Sequence, residues 1–156
     1  MRLSVLSIGR WKAGPYRELF DLYAGRLDNG PLGPLALTEL EEKRQLPPVE
    51  LKAREAELLT AAIGKGAKVV ALDEGGRALD SAGFAKMLGD WRDSGCREVA
   101  FLIGGAAGLA PSLKSQADRI VSLGPMTWPH LLVRGMLAEQ LYRAASILAG
   151  HPYHRG

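Results

Sequence analysis

Between Arg97 and Leu109 the chain reads REVAFLIGGAAGL, a run of strand-forming residues that breaks abruptly into glycines. Val99, Ala100, Phe101, Leu102 and Ile103 are apolar on both alternating sets, which reads as a strand buried on both faces of a helix-covered parallel sheet. Gly104, Gly105 and Gly108 then let backbone come close to a small molecule. The pattern recurs downstream. Arg119 to Leu123 is a second short apolar run, followed by Gly124, Pro125, Met126, Thr127, Trp128, Pro129 and His130 and then by a long apolar segment. Two strand ends carrying special loops define one crevice in an open parallel sheet.

The rest of the chain alternates strands and helices. Leu3 to Ile8 reads as a buried strand stopped by Gly9, and Tyr16, Leu19, Phe20, Tyr23 and Leu27 recur at helical spacing after Pro15. Leu35 to Leu40 is a second strand. Glu41 to Pro48 is charged, ends in two prolines and reads as a mobile loop before a helix over Val49 to Ile63. Lys68 to Leu72 is a third strand, with Asp73 to Arg77 as the loop at its end. Asp80 or Ser81 caps a helix running to about Ser94, with Phe84, Met87, Leu88 and Trp91 inward. Pro111 opens a short helix, and Leu131 to Leu148 forms the last one before the tail His151 to Gly156. This order predicts an α/β fold with a mostly parallel sheet flanked by helices, in one domain spanning the 156 residues.

Bulk properties narrow the function classes. Twenty Lys and Arg against 17 Asp and Glu leave a formal charge of +3, a mildly basic surface compatible with a nucleic-acid partner. The single cysteine, Cys96, excludes an internal disulfide and fits a reducing cytoplasm. No apolar run approaches the roughly 18 residues that span a bilayer, and MRLSVLSIGR lacks the small-residue cleavage site of a signal peptide. Neither GxGxxG after the first strand nor GxxxxGK[ST] occurs, so the dinucleotide-binding and P-loop architectures lack support. His151 and His154 are three apart, but Pro152 breaks any helix that would align them, and no carboxylate or cysteine cluster completes a metal site.

Several residues remain with chemistry to offer. Asp73 at a strand end reads either as a turn cap or as a ribose ligand, and Leu72 before it as an apolar wall beside an adenine. The prolines of Gly124 to Pro129 fix a backbone whose peptide groups can read the edge of a heterocycle. The last helix is apolar over a wide arc, through Val133, Met136, Leu137, Leu141, Ala144, Ala145 and Leu148, as expected of a helix covered by its own sheet and by a second copy. Glu139 and Arg143 are spaced for a helix-surface pair. Arg134, near the unfavourable end of the helix dipole, hints at a carboxylate or an anionic ligand. Tyr153, His154 and Arg155 put a stacking ring, a group titrating near neutrality and a permanent cation side by side.

Taken together, Gly9 with Lys12, LDEGG with Ser81 and Phe84, FLIGGAAGL, SLGPMTWPHLLVR, AEQLYRA and HPYHR resemble, nearly end to end, the bacterial large-subunit ribosomal RNA pseudouridine N3 methyltransferases, the smallest branch of the SPOUT superfamily. The resemblance implies a trefoil knot formed by roughly residues 99–150, an obligate homodimer, and S-adenosylmethionine held by Leu72, Gly105, Gly124, Pro125, Met126, Thr127, Trp128 and Pro129. It further implies methyl transfer to N3 of a pseudouridine in 23S ribosomal RNA of the assembled ribosome. His154, Tyr153, Arg155, Arg143 and Glu139 are the expected catalytic group, with the tail of one subunit completing the pocket of the other and no metal or membrane involved. Ala107 stands where the family often carries an acidic residue, which removes one polar contact near the cofactor. An RNA-binding protein without transferase activity, a nucleotide or flavin binder, and a metal-dependent hydrolase are the competing readings, and none accounts for the joint motif set.

Overall fold

The computed structural model describes every residue except Asn29 and Gly156, so the last position of the expected tail lies outside the described residues. The elements follow the expected alternation: β1 (Arg2–Ile8), α1 (Pro15–Arg26), β2 (Leu35–Leu40), α2 (Pro48–Ala62), β3 (Lys68–Ala78), α3 (Ser81–Asp93), β4 (Glu98–Ile103), α4 (Pro111–Gln116), β5 (Arg119–Ser122) and α5 (His130–Ala149). Among the described residues the strands form one parallel sheet in the order β2-β1-β4-β3-β5. The glycine-terminated strand is therefore central, flanked on both sides.

Alternation along β4 explains the layering. Val99, Phe101 and Ile103 face a core built with α1, α3 and α5, while Ala100 and Leu102 face a smaller one built with α2 and α4. The two crossovers that leave β3 and β4 thus lie on opposite faces of the sheet. From β4 the chain passes over β3 to reach β5, which brings the ends of β3, β4 and β5 together.

β3 departs from expectation. It continues through Asp73–Arg77, expected as a loop, because the chain bulges out and returns: Leu72 pairs with Val121, and so does Arg77. Asp73 closes the bulge by accepting the Gly75 N–H at 3.0 Å, which is the turn-capping role. Asp80 caps α3 as expected, accepting the Gly83 N–H at 2.7 Å. On α1 the inward set is Phe20 with the cap residue Leu27, whereas Tyr16 is exposed.

Arg134 is the largest departure from ordinary helix-surface chemistry. It is fully buried at 0% exposure. Its Nε donates to Ser7 Oγ at 2.9 Å, Nη1 to Glu39 Oε2 at 3.0 Å, and Nη2 to the carbonyls of Ile8 (3.2 Å) and Gly9 (2.7 Å). The guanidinium also stacks on Trp11, 4.8 Å from the ring centre, and the Trp11 backbone N–H donates to the same Glu39 oxygen at 2.8 Å. The carboxylate anticipated for this residue is thus Glu39. Burial lowers the Arg134 pKa from its ordinary value, and the bond to Glu39 opposes that shift.

The 41–48 segment, expected to be mobile, is tied down by Glu42. Its carboxylate takes the Arg44 backbone N–H (3.0 Å), Arg44 Nε (3.0 Å) and Arg54 Nε of α2 (2.9 Å). These bonds, those from Arg44 first, hold Glu42 down at about 2.

Two tests follow from these networks. Replacing Arg134 with Met leaves Glu39 and two strand-end carbonyls without their donor, and urea denaturation should show a loss of about 3 kcal/mol; Arg134→Lys should recover little, since one ammonium cannot serve the four acceptors the guanidinium reaches. For Glu42 the folded pKa lies below the unfolded value of about 4.3. Its contribution is therefore complete above that pH and lost as pH falls toward 2. The Arg44 amide resonance should hold its folded position down to about pH 3 and move below it, with its midpoint at about 2; an inflection at the ordinary carboxylate value would contradict the network.

Candidate active site

The carboxyl ends of β3, β4 and β5 enclose a cavity of about 410 Å³, within the usual range for small-molecule sites. Leu72, Ile103, Val121, Leu123 and Val133 give it apolar walls, and the Gly104–Leu109 loop forms one side. That loop doubles back on itself: a Cβ on Gly104 would stand 2.7 Å from the Gly108 carbonyl carbon, and Gly108 N–H donates to the Gly105 carbonyl at 2.9 Å. Across the cavity Gly124 turns the chain at φ +105°, a left-handed conformation, and its N–H is held by Ser122 Oγ at 3.0 Å. Met126 and Trp128 form an exposed apolar rim, at 68% and 37% exposure, with the Trp128 indole N–H donating to the Leu123 carbonyl at 3.4 Å. Apolar walls plus backbone polar groups from two loops suit a flat heterocycle read along its edge.

Leu72, Gly105, Gly124, Met126, Thr127 and Trp128 all line this cavity, as does Ala107. Pro125 and Pro129 belong to the same loop but not to the lining, and Pro129 instead begins α5 by accepting the Val133 N–H at 3.0 Å. The sequence reading missed Lys52 of α2 and Lys114 of α4, which sit on the rim, Lys114 being 3.6 Å from Asp73 Oδ1. Both lie on helices read from the prolines and glycines that start and stop them, signals that do not say which side chains a helix presents to a strand tip.

A second cluster forms where the tail folds back along α5. Arg143 pairs with Glu139 one turn earlier and approaches His154 Nδ1 at 3.3 Å. Guanidinium only donates, so in this contact Nδ1 accepts and the ring proton sits on Nε2. The Tyr153 hydroxyl donates to Glu139 Oε1 at 3.0 Å and lies 3.4 Å from the Tyr23 hydroxyl, while Arg143 stacks on the Tyr153 ring at 4.8 Å. The bond to Tyr23, then burial and Glu139, push the Tyr153 phenol well above its ordinary value and keep it protonated. Tyr142 packs edge-on against Tyr153, with centroids 4.6 Å apart. Thus Glu139, Arg143, Tyr153 and His154 are brought together. Arg155 follows in the chain and is exposed. Tyr23 and Tyr142, read from the sequence as helix packing residues or not at all, complete the group.

The two clusters are not one site within the chain. The cavity touches the start of α5 at His130 and Val133, whereas Glu139 and Arg143 lie roughly 9 and 15 Å beyond Val133 along the helix axis. Between them runs a larger, mostly apolar hollow of about 720 Å³, which shares Leu72, Val121, Leu123 and Gly124 with the cavity and reaches Tyr23, Glu139 and Gln140. Among the described residues no group of three or more His, Cys, Asp or Glu is placed to hold a metal ion, and no helix is long and apolar enough to cross a membrane.

Comparison with known proteins places this geometry. The family model described as "Predicted SPOUT methyltransferase" matches residues 1–154. A protein named ribosomal RNA large subunit methyltransferase H from Paramagnetospirillum magneticum is 58% identical over 155 residues, covering 99% of each chain, and its namesake from Rhodospirillum rubrum is 54% identical with the same coverage. Among solved structures, a probable methyltransferase from Bordetella pertussis aligns over 92% of this chain and 96% of its own (TM-score 0.53, 16% identity). The SpoU methyltransferase AviRb from Streptomyces viridochromogenes, solved with its cofactor AdoMet, aligns over 96% of this chain and 59% of its own (TM-score 0.51, 18% identity) and, like the first, speaks for the fold. The family model over residues 1–154, with relatives 54–58% identical over 99% of the chain, makes this protein a member of the SPOUT methyltransferase family.

Proposed function

We propose that the protein is an S-adenosylmethionine-dependent methyltransferase acting on N3 of a pseudouridine in 23S ribosomal RNA, within the assembled ribosome and in the cytoplasm. The observation that carries this reading is the 58% identity, end to end, with a protein named ribosomal RNA large subunit methyltransferase H. The cavity fits the cofactor: Leu72 and the neighbouring apolar walls would cover the adenine, the backbone of Gly124 to Pro129 would read its edge, and Gly105 would allow close approach of the remainder. When bound, the cofactor supplies a sulfonium-activated methyl group. Residues 99–150 would form the trefoil knot, a reading supported by crossovers on opposite faces of the sheet and by β5 lying beyond β3.

Methylating N3 requires the imide to lose its N3 proton, and the charge left behind must be met by donors. Arg143 and Arg155 are assigned to stabilising that anion or holding flanking phosphates, and Tyr153 to bordering the base. With Nδ1 occupied by Arg143, His154 uses Nε2–H to position a water at the base, and the N3 proton leaves through that water to bulk solvent. Glu139 orients Arg143 and Tyr153 rather than meeting the base.

The distance along α5 between cavity and tail cluster supports a homodimer in which each tail completes the other subunit's cavity. The apolar hollow between α1, α3 and α5 provides the surface for the second copy.

Labelled methyl transfer to ribosomes, isolated large subunits and naked ribosomal RNA tests the activity; label mapped to one pseudouridine is expected with ribosomes, and no label in any substrate would refute it. His154→Ala should lower turnover about 100-fold while leaving cofactor affinity unchanged. Shared sites are tested by mixing Leu72→Arg, which puts a charge in the cavity wall, with His154→Ala. After subunit exchange, half the dimers are mixed and each holds one intact site, so activity should return to about a quarter of wild type. No recovery would mean that each chain serves itself.

A further inference from the structure

Glu55 of α2 takes no part in the site described above, yet it lies directly behind it. The residue is nine-tenths buried, at 9% exposure. Its Oε2 and Oε1 stand 3.3 and 3.5 Å from the point a Cβ on Gly105 would occupy, next to Ile8 of β1. Gly105 itself lines the cavity, so only the thickness of one glycine backbone separates the carboxylate from that space. Among the described residues no side chain or backbone group donates a hydrogen bond to Glu55, and no cation pairs with it. Glu39 and Glu42, the other well-shielded carboxylates, are both met by arginines. Burial accordingly pushes the Glu55 carboxyl above its ordinary value.

A carboxylate shielded this far, with no protein donor and only the little solvent that reaches its oxygens, is disfavoured in the empty protein, and an amide or an alkyl chain would fill the same volume at less cost. Its position acquires a purpose only with a positive charge in the cavity. The cavity's own cations do not supply one: Lys114 is 3.6 Å from Asp73, and Lys52, one turn before Glu55, makes no ion pair with it.

We infer that Glu55 is the counter-charge of the cofactor cavity, making it prefer the cationic sulfonium of S-adenosylmethionine to the neutral thioether of S-adenosylhomocysteine. This inference rests on the cofactor reading proposed above. Methyl transfer removes the positive charge from sulfur while the rest of the cofactor keeps its structure. A fixed negative charge behind Gly105 therefore loses its partner at the moment of transfer and favours exchange of product for fresh cofactor. Because the attraction is strongest before transfer and fades as sulfur loses its charge, it serves cofactor choice and product release and does not lower the chemical barrier, to which it adds slightly.

The test is calorimetric titration of the full-length protein with each of the two cofactors, in wild type, Glu55→Gln and Glu55→Asp, alongside thermal melting of each unliganded protein. Glu55→Gln should weaken S-adenosylmethionine about tenfold and leave S-adenosylhomocysteine within about twofold. Glu55→Asp should keep most of the preference. The unliganded Gln variant should melt at or above the wild-type temperature, because an uncompensated carboxylate has been removed. Equal weakening of both cofactors, or no change in either, would overturn the inference while leaving the cofactor site standing, and a Gln variant that melts well below wild type would overturn it by assigning Glu55 a structural role. Wild type that binds neither cofactor would overturn this inference and the cofactor reading together.

Discussion

The structure depends on one buried guanidinium. Arg134 reaches from near the start of α5 to the ends of β1 and β2, where the carbonyls of Ile8 and Gly9 would otherwise lose this donor and Glu39 would keep only the Trp11 backbone N–H. A hydrophobic side chain could fill the space but could not satisfy those acceptors. The result is that the start of α5 is fixed relative to the strand ends, and with it the 124–129 loop that walls the cavity. The position is also self-consistent electrostatically: a cation at a helix N-terminus is unfavourable, and it is tolerated because a carboxylate and two carbonyls outweigh the dipole.

The division of the chemistry along α5 follows from the same anchoring. One end of the helix borders a glycine-lined cavity, and the tail returns along the other end to place His154 on Arg143. Neither cluster can slide toward the other, since α5 is packed between α1 and α3 along its length. A rigid helix thus acts as a spacer, and a second chain is the simplest way to close the gap it imposes.

Much of this was legible in the sequence because it was written in period and punctuation. The double-faced apolar run at Val99–Ile103, the glycines after it, the capping residue Asp80 and the helix-opening Pro15 each have one local meaning, and their elements fell where that meaning put them. What stayed hidden was set by distance in space. The return of β3 after its bulge depends on Val121 of another strand, the ordering of the 41–48 loop on Arg54 of α2, and the burial of Arg134 on Ser7 and Glu39. Glu55 gave no signal at all: an acidic residue in a charged amphipathic helix reads as solvated, and only the approach of Gly105 shows otherwise.

Two of the three tryptophans give the molecule separate optical windows, the third, Trp91, lying under Arg119 on α3. Trp11 lies at 7% exposure beneath the Arg134 guanidinium, so its emission follows the integrity of the strand-end network. Trp128 stands half-open on the rim of the cavity and follows what enters there. With Trp91 replaced by Phe, folding and occupancy can therefore be watched in one unlabelled sample, the first through a ring that solvent scarcely reaches and the second through one that it does.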